Sequence, residues 1–284
     1  MAEILDGKIV SQKLRDGLKN DVAAFVKETG HVPGLAVIVV GDDPASAVYV
    51  RNKHKGCLDV GMKSFEITYP QNVSEDELIN RILELNMDPD VDGILVQLPL
   101  PKHINEERVI NSIAPSKDVD SFTPENVGKI MIGNHQILPC TPAGIMEILS
   151  HYGIAVEGKH CVIIGRSNIV GKPMAMLLLG ANGTVTVCHS RTRNLADISR
   201  QADILVVAVG KPMFVKADMV KPGAVVIDVG INRTLEGKIV GDVAFPEVSE
   251  VASMITPVPG GVGPMTIVSL MKNTLLAGKK AIYQ

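Results

Sequence analysis

The chain has 284 residues, 46% of them hydrophobic and 21% charged, enough for one large or two ordinary domains with real cores. A net charge of −3 without a long Lys/Arg run leaves no electrostatic footprint for a nucleic-acid backbone, and no Trp, four Tyr and five Phe offer bases little to stack on. The start, MAEILDGKIV, lacks the basic and apolar regions of a signal peptide, and no apolar stretch reaches the ~20 residues that cross a bilayer, so a cytoplasmic protein with neither nucleic acid nor membrane as partner is expected.

In chain order, residues 7 to 28 carry Ile9, Leu14, Leu18, Val22 and Phe25 at helical spacing. GLAVIVVG (34–41), KSFEITY (63–69) and VDGILVQL (91–98) are short, β-branched and nearly continuous in hydrophobicity, as parallel strands covered on both faces are. Between the last two, Ser74 and Glu77 form a capping box ahead of an apolar stripe. CTPAGIMEIL (140–149) reads as a helix with Thr141 as cap and Pro142 in its first turn. Five strand candidates follow: HCVIIG, TVTVCH, ADILVVAVG, AVVIDVG and SMITPV. PMTIVSLMKNTLLAG closes the pattern as a helix able to return to the first domain. The expected architecture is therefore two α/β domains, the second a Rossmann-type nucleotide-binding domain, with a cleft between them. The first would comprise 1–139 plus 264–284, the second 140–263. Cys57, Cys140, Cys161 and Cys188 are scattered without a C-x-x-C pair, and no His or carboxylate cluster has ligand spacing. Buried free thiols and no metal site are expected.

The stretch VIIGRSNIVGKP (162–173) lies between a strand and a helix expected from about Pro173, where a dinucleotide fingerprint belongs, but its glycines fall at Gly165 and Gly171 with Ser167 and Val170 in the other places. Gly165 suits the tight turn, Gly171 lets the helix start close to the strand, and Ser167 offers a hydroxyl to a pyrophosphate. Glycine turns of this kind also serve packing alone. About twenty residues on, an NAD site carries an acid for the ribose hydroxyls. Here the second strand runs into His189, Ser190, Arg191 and Thr192, a hydroxyl and a guanidinium that suit a 2′-phosphate and favour NADP. The alternative is that Ser190 or Thr192 caps the next helix and Arg191 is a solvated charge.

In SAVYVRNKHKGC, Tyr49 and Lys53 stand at i and i+4 on one helix face. An amine beside a phenol does proton work if a partly dry pocket lowers its pKa; the same spacing also fits a surface lysine. The Y-x-x-x-K pair of short-chain dehydrogenases follows the glycine loop, whereas here it precedes it by over a hundred residues. VQLPLP (96–101) places Gln97 at the carboxyl edge of a strand. KDVDSF (117–122) places Asp118 and Asp120 at i and i+2, where one carboxylate can accept two parallel N–H bonds from a pterin edge or simply face water. PVPGGVGP (257–264), with Gly260, Gly261 and Gly263, lets backbone approach a ligand or makes a domain joint.

The set Y-V-x-N-K-x-K, V-Q-L-P-L-P, K-D-V-D, P-C-T-P, G-R-S-x-x-V-G-x-P, H-S-R-T and P-V-P-G-G-V-G-P-M-T, in this order over the whole chain, closely resembles the bifunctional methylenetetrahydrofolate dehydrogenase/cyclohydrolase family. The resemblance implies NADP-dependent oxidation of 5,10-methylenetetrahydrofolate, hydrolysis of the methenyl product to 10-formyltetrahydrofolate, and a homodimer. It implies that Lys53 is the principal catalytic residue, that Tyr49 shapes the folate pocket, that Gln97 holds and tunes Lys53, and that Asp120 binds the pterin. By the same resemblance Gly165, Arg166, Ser167, Ser190, Arg191 and Ile231 line the NADP site, with Pro259, Gly260, Gly261, Val262 and Gly263 near the folate. Ser121 departs from the family's usual glycine, with no change of activity expected. Other readings are a single-activity dehydrogenase, possibly using NAD, a nucleotide-binding protein without turnover, and an amino-acid dehydrogenase, which leaves VQLPLP and PGGVGP unexplained.

Overall fold

A computed structural model describes residues 1–42, 44–234 and 236–283, the side chains of residues 44–49 lying outside that description. The strands are β1 (Glu3–Ile4), β2 (Gly34–Val40), β3 (Lys63–Tyr69), β4 (Gly93–Val96), β5 (His160–Ile164), β6 (Thr184–Cys188), β7 (Ile204–Val207), β8 (Val225–Asp228), β9 (Asn232–Arg233), β10 (Ile239–Val240) and β11 (Met254–Ile255). The helices are α1 (Gly7–Thr29), α2 (Pro44–Val60), α3 (Glu75–Met87), α4 (Glu106–Asn111), α5 (Pro124–Met131), α6 (Cys140–His151), α7 (Gly171–Gly180), α8 (Leu195–Ser199), α9 (Phe245–Val248) and α10 (Val262–Tyr283). The chain forms two compact units, residues 13–140 with 267–284 and residues 1–12 with 141–266.

The unit of residues 13–140 and 267–284 is built on a parallel sheet in the order β3-β2-β4. Its central β2 is buried almost end to end, which is why its sequence runs hydrophobic without alternation. Ser74 caps α3, its Oγ accepting from the Glu77 N–H at 3.2 Å. Leu78, Ile82 and Leu85 then face the sheet and pack with Ala36, Ile38, Ile94 and Val96. Each such buried aliphatic side chain contributes about 1.5–3 kcal/mol. On α1 the buried stripe runs through Val10, Leu18, Val22 and Phe25; Leu18, Val22 and Phe25 lie where the spacing placed them, Leu14 is half-buried, and only Ile9 is exposed, its place at the helix start being taken by Val10. From residue 267 onward α10 belongs to this unit, where the Asn273 amide donates to the carbonyls of Val119 (2.8 Å) and Leu138 (2.7 Å).

The unit of residues 1–12 and 141–266 carries a six-stranded, wholly parallel sheet in the order β1-β11-β8-β7-β5-β6. From β5 the chain steps outward to β6 and then crosses back to β7 on the other side. That reversal opens a crevice at the carboxyl ends of these strands, where doubly wound sheets take ligands. Residues 1–12, expected with the first domain, group here because Glu3 and Ile4 pair with Met254 and Ile255. Two helix starts also differ from expectation. α6 begins at Cys140, so Thr141 lies inside the first turn and its hydroxyl meets Thr266 Oγ1 at 3.2 Å instead of capping. α7 begins at Gly171, two residues before Pro173. All four cysteines are free and buried.

Candidate functional site

Two clusters of chemistry-bearing side chains stand out, one in each unit. In the unit of residues 13–140 and 267–284, α2 carries Lys53, which is only 8% exposed. Tyr49 lies on the same helix, and its side chain is outside the described residues. Lys53 Nζ donates to Gln97 Oε1 at 2.9 Å. Gln97 is itself fixed one residue past β4, its Nε2 donating to the Leu98 carbonyl at 2.8 Å just before Pro99 ends the strand direction. Burial pushes the Lys53 amine below the ordinary lysine range, and the Asp120 carboxylate is the charge that opposes this. Burial also raises the Asp120 carboxyl, against the pull of Lys53 and a hydrogen bond from Cys140. The neighbouring thiols stay protonated. Cys140 is held well above the thiol range by burial and by Asp120, and burial pushes Cys57 up to about 12, so neither is a nucleophile.

The two aspartates of KDVDSF separate cleanly. Asp118 is buried, and its Oδ2 accepts from the Thr123 N–H (2.8 Å), the Thr123 hydroxyl (2.7 Å) and the Asn126 amide (3.0 Å), while Oδ1 accepts from the Phe122 N–H (3.2 Å). It folds the loop. Asp120, half-buried beside Lys53, is the carboxylate with capacity left for a ligand. Between them and α5, Ser121 is fully buried with φ +58°, the left-handed region that favours glycine, and its hydroxyl donates to the Ile137 carbonyl at 3.2 Å.

In the other unit, a cavity of about 220 Å³ opens at the crevice, lined by Gly165 and Arg166 after β5, His189 and Ser190 after β6, and Lys211 and Phe214 beyond β7. Gly165 has φ +140°, and a Cβ there would overlap the Ala208 carbonyl oxygen; a Cβ at Gly171 would overlap the Gly165 oxygen. Both glycines are therefore demanded by the close approach of strand, turn and helix. Ser167 is already partly used. Its Oγ accepts from the N–H groups of Val170 (3.1 Å) and Gly171 (3.3 Å), tying the turn to the start of α7, so only its O–H remains for a phosphate. Neither Ser190 nor Thr192 caps α8: Ser190 faces the cavity, and Thr192 Oγ1 accepts from the His189 N–H at 2.8 Å. Arg191 is exposed and is not among the cavity's lining residues. Among the described residues no carboxylate lines the cavity, and apolar walls beside cations and a hydroxyl fit an adenosine carrying phosphate.

The PVPGGVGP stretch splits in the same unit. Gly260 (φ +110°), Gly261 and Val262 are buried, and a Cβ at Gly261 would stand 2.6 Å from the Pro257 oxygen, so these glycines serve the chain's own packing. Pro259 and Ile231 are exposed, and a Cβ at half-buried Gly263 would meet only Ile231 Cδ1, at 3.7 Å. Lys211 and Phe214 were not singled out from the sequence. The signal was present in VGKP, which follows a strand adjacent to the glycine-loop strand and so ends at the same sheet edge.

Residues 5–120 match the family described as tetrahydrofolate dehydrogenase/cyclohydrolase, catalytic domain, and residues 139–282 match the NAD(P)-binding domain of the same description. The chain is similar to the bifunctional protein FolD of Acetivibrio thermocellus, 62% identical over 278 residues that cover 98% of this chain and 97% of the relative. Among solved structures, the bifunctional enzyme FolD-methylenetetrahydrofolate dehydrogenase/cyclohydrolase of Campylobacter jejuni aligns with a TM-score of 0.96 at 51% identity, covering 99% of this chain and 100% of that one. The methylenetetrahydrofolate dehydrogenase-cyclohydrolase of Trypanosoma brucei, complexed with NADP cofactor and an inhibitor, aligns with a TM-score of 0.95 at 39% identity, covering 100% and 99%.

Proposed function

The chain belongs to the tetrahydrofolate dehydrogenase/cyclohydrolase family, with both its catalytic and its NAD(P)-binding domain, and from that premise we propose that it oxidises 5,10-methylenetetrahydrofolate with NADP and hydrolyses the methenyl product to 10-formyltetrahydrofolate. The observation that carries the reading is the buried Lys53 amine held by Gln97 at 2.9 Å with Asp120 beside it. Bound NADP would supply the hydride acceptor. Loss of hydride from a carbon between two nitrogens leaves an amidinium-like cation, so the first step needs alignment and no strong general acid. Hydrolysis needs a base. With its pKa lowered by burial, Lys53 accepts a proton as water adds to the methenyl carbon, and the Gln97 carbonyl oxygen fixes the direction of the amine. Ring opening then breaks one carbon–nitrogen bond, and the proton passes to the departing nitrogen. Asp120 accepts the paired N–H groups of the pterin, and Tyr49 shapes the folate pocket.

For the cofactor, Arg166, Ser167, Ser190 and Arg191 would bind phosphate groups around the Gly165 turn, with Ile231 toward the nicotinamide and Pro259 to Gly263 near the folate. The absence of a carboxylate from the cavity lining supports NADP over NAD. A cytoplasmic homodimer completes the proposal, and sedimentation of the purified protein tests the dimer. The site is tested by Lys53→Met. Methenyl breakdown, followed by absorbance, should fall by about 100-fold or more while hydride transfer persists. An undiminished hydrolysis rate in that variant refutes the assignment.

A further inference from the structure

The nucleotide cavity holds a cation that the glycine-loop motif does not contain. Lys211 stands in the turn beyond β7 and Arg166 in the turn after β5, and both line the same cavity with Ser190. That turn is clamped. The Asp242 carboxylate, fully buried, accepts from the N–H groups of Val209 (2.6 Å) and Gly210 (2.9 Å) on Oδ2, and from the Lys211 N–H (2.8 Å) and the Asn232 amide (2.9 Å) on Oδ1. Four donors on one buried carboxylate fix the backbone from which Lys211 projects. The Lys211 ammonium itself lies 5.6 Å from the centre of the Phe214 ring, which also lines the cavity. Among the described residues, neither Lys211 nor Arg166 has an acidic partner.

A phosphate monoester on a ribose carries about −1.5 to −2 charge at neutral pH, more than one guanidinium balances. We propose that Lys211 is a specificity-determining residue, the second cation that, with Arg166, receives the 2′-phosphate of the nucleotide. Selection for the phosphorylated cofactor then rests on two turns at the sheet's switch point, one after β5 and one beyond β7. Phe214 serves as the rest on which the ammonium lies, and the buried Asp242 serves as its foundation. This deepens the NADP reading above and rests on it.

Fragment binding isolates the effect, because 2′,5′-ADP and 5′-AMP differ only in the phosphate at issue. Titrated calorimetrically into the full chain, the wild type should bind 2′,5′-ADP more tightly than 5′-AMP. Lys211→Gln should weaken 2′,5′-ADP by about tenfold and change 5′-AMP by less than about twofold, the size expected for one charge-assisted contact. Lys211→Arg should restore most of the difference, and added salt should shrink the gap between wild type and Lys211→Gln. If the wild type discriminates and Lys211→Gln discriminates equally well, or loses both ligands alike, the role of Lys211 is overturned while NADP use stands. If the wild type itself does not distinguish the two fragments, the NADP reading falls and takes this inference with it.

Discussion

The two clusters solve opposite electrostatic problems. Around Lys53 the charge is taken out of water: the amine is buried, one amide oxygen receives it, and one carboxylate opposes the cost of desolvation. Around Gly165 the cations stay at the surface without acidic partners among the described residues, and the precision lies in the backbone, where glycines let strand, turn and helix close. A group that must change protonation state during turnover is tuned by burial. Groups that bind a fixed anion are better left exposed, so that the ligand supplies the counter-charge without repaying a desolvation penalty. The first arrangement is therefore sensitive to loss of a neutral neighbour, and the second to loss of a charge.

The sharpest break in that contrast is Gln97→Leu, which removes a neutral partner from the buried amine. The hydrolysis rate should drop by about 30-fold, close to 2 kcal/mol of lost hydrogen bonding and alignment. Its pH profile carries the diagnosis. Because neutral amine is the active form, wild-type hydrolysis should rise with pH through a limb below the ordinary lysine range, in the direction that burial moves Lys53. Gln97 Oε1 accepts from the amine and so favours its charged form, and its loss should move that limb further toward acid. A limb that stays in place would show that Gln97 only packs.

On the other side, charge removal should matter by position. Arg166→Ala should weaken 2′-phosphorylated nucleotides by about tenfold with little change for NAD, since Arg166 is among the residues that line the cavity. Arg191→Ala should also weaken NADP more than NAD, by only about threefold, because Arg191 is exposed and outside the cavity lining. Dissociation constants for the two cofactors check both. Equal losses for NAD and NADP would remove the 2′-phosphate assignment.

Most of the scaffold was legible because its signals are local. GLAVIVV and GILV became buried parallel strands, the Ser74 box became a cap, and Gly165 and Gly171 sit where a side chain has no room, whereas KSFEITY, expected to be covered on both faces, became a half-exposed strand at the sheet edge. What escaped was set by partners far away in the chain. The place of Glu3 and Ile4 depends on β11, some 250 residues on, and no local pattern in two residues specifies a sheet edge. Asp118 and Asp120 look alike in sequence, yet Thr123 and Asn126 consume one and leave the other. Lys211 faces the cavity only because β7 lies next to β5, a pairing that depends on topology and not on the motif itself.

The smallest expected effect concerns Ser121, and it separates backbone from side chain in the loop that carries Asp120. Ser121 holds φ +58° while fully buried, and its hydroxyl bond to the Ile137 carbonyl is long, at 3.2 Å. Ser121→Gly relieves the left-handed strain and loses that bond, two effects of about 1 kcal/mol each and opposite sign, so thermal stability and both activities should stay close to wild type. Ser121→Ala keeps the strain and loses the bond, and should lower stability by about 1–2 kcal/mol. The ranking tests which effect holds the loop. If Ser121→Gly is clearly less stable than wild type, the hydroxyl outweighs the backbone, and the serine side chain is part of the support for Asp120.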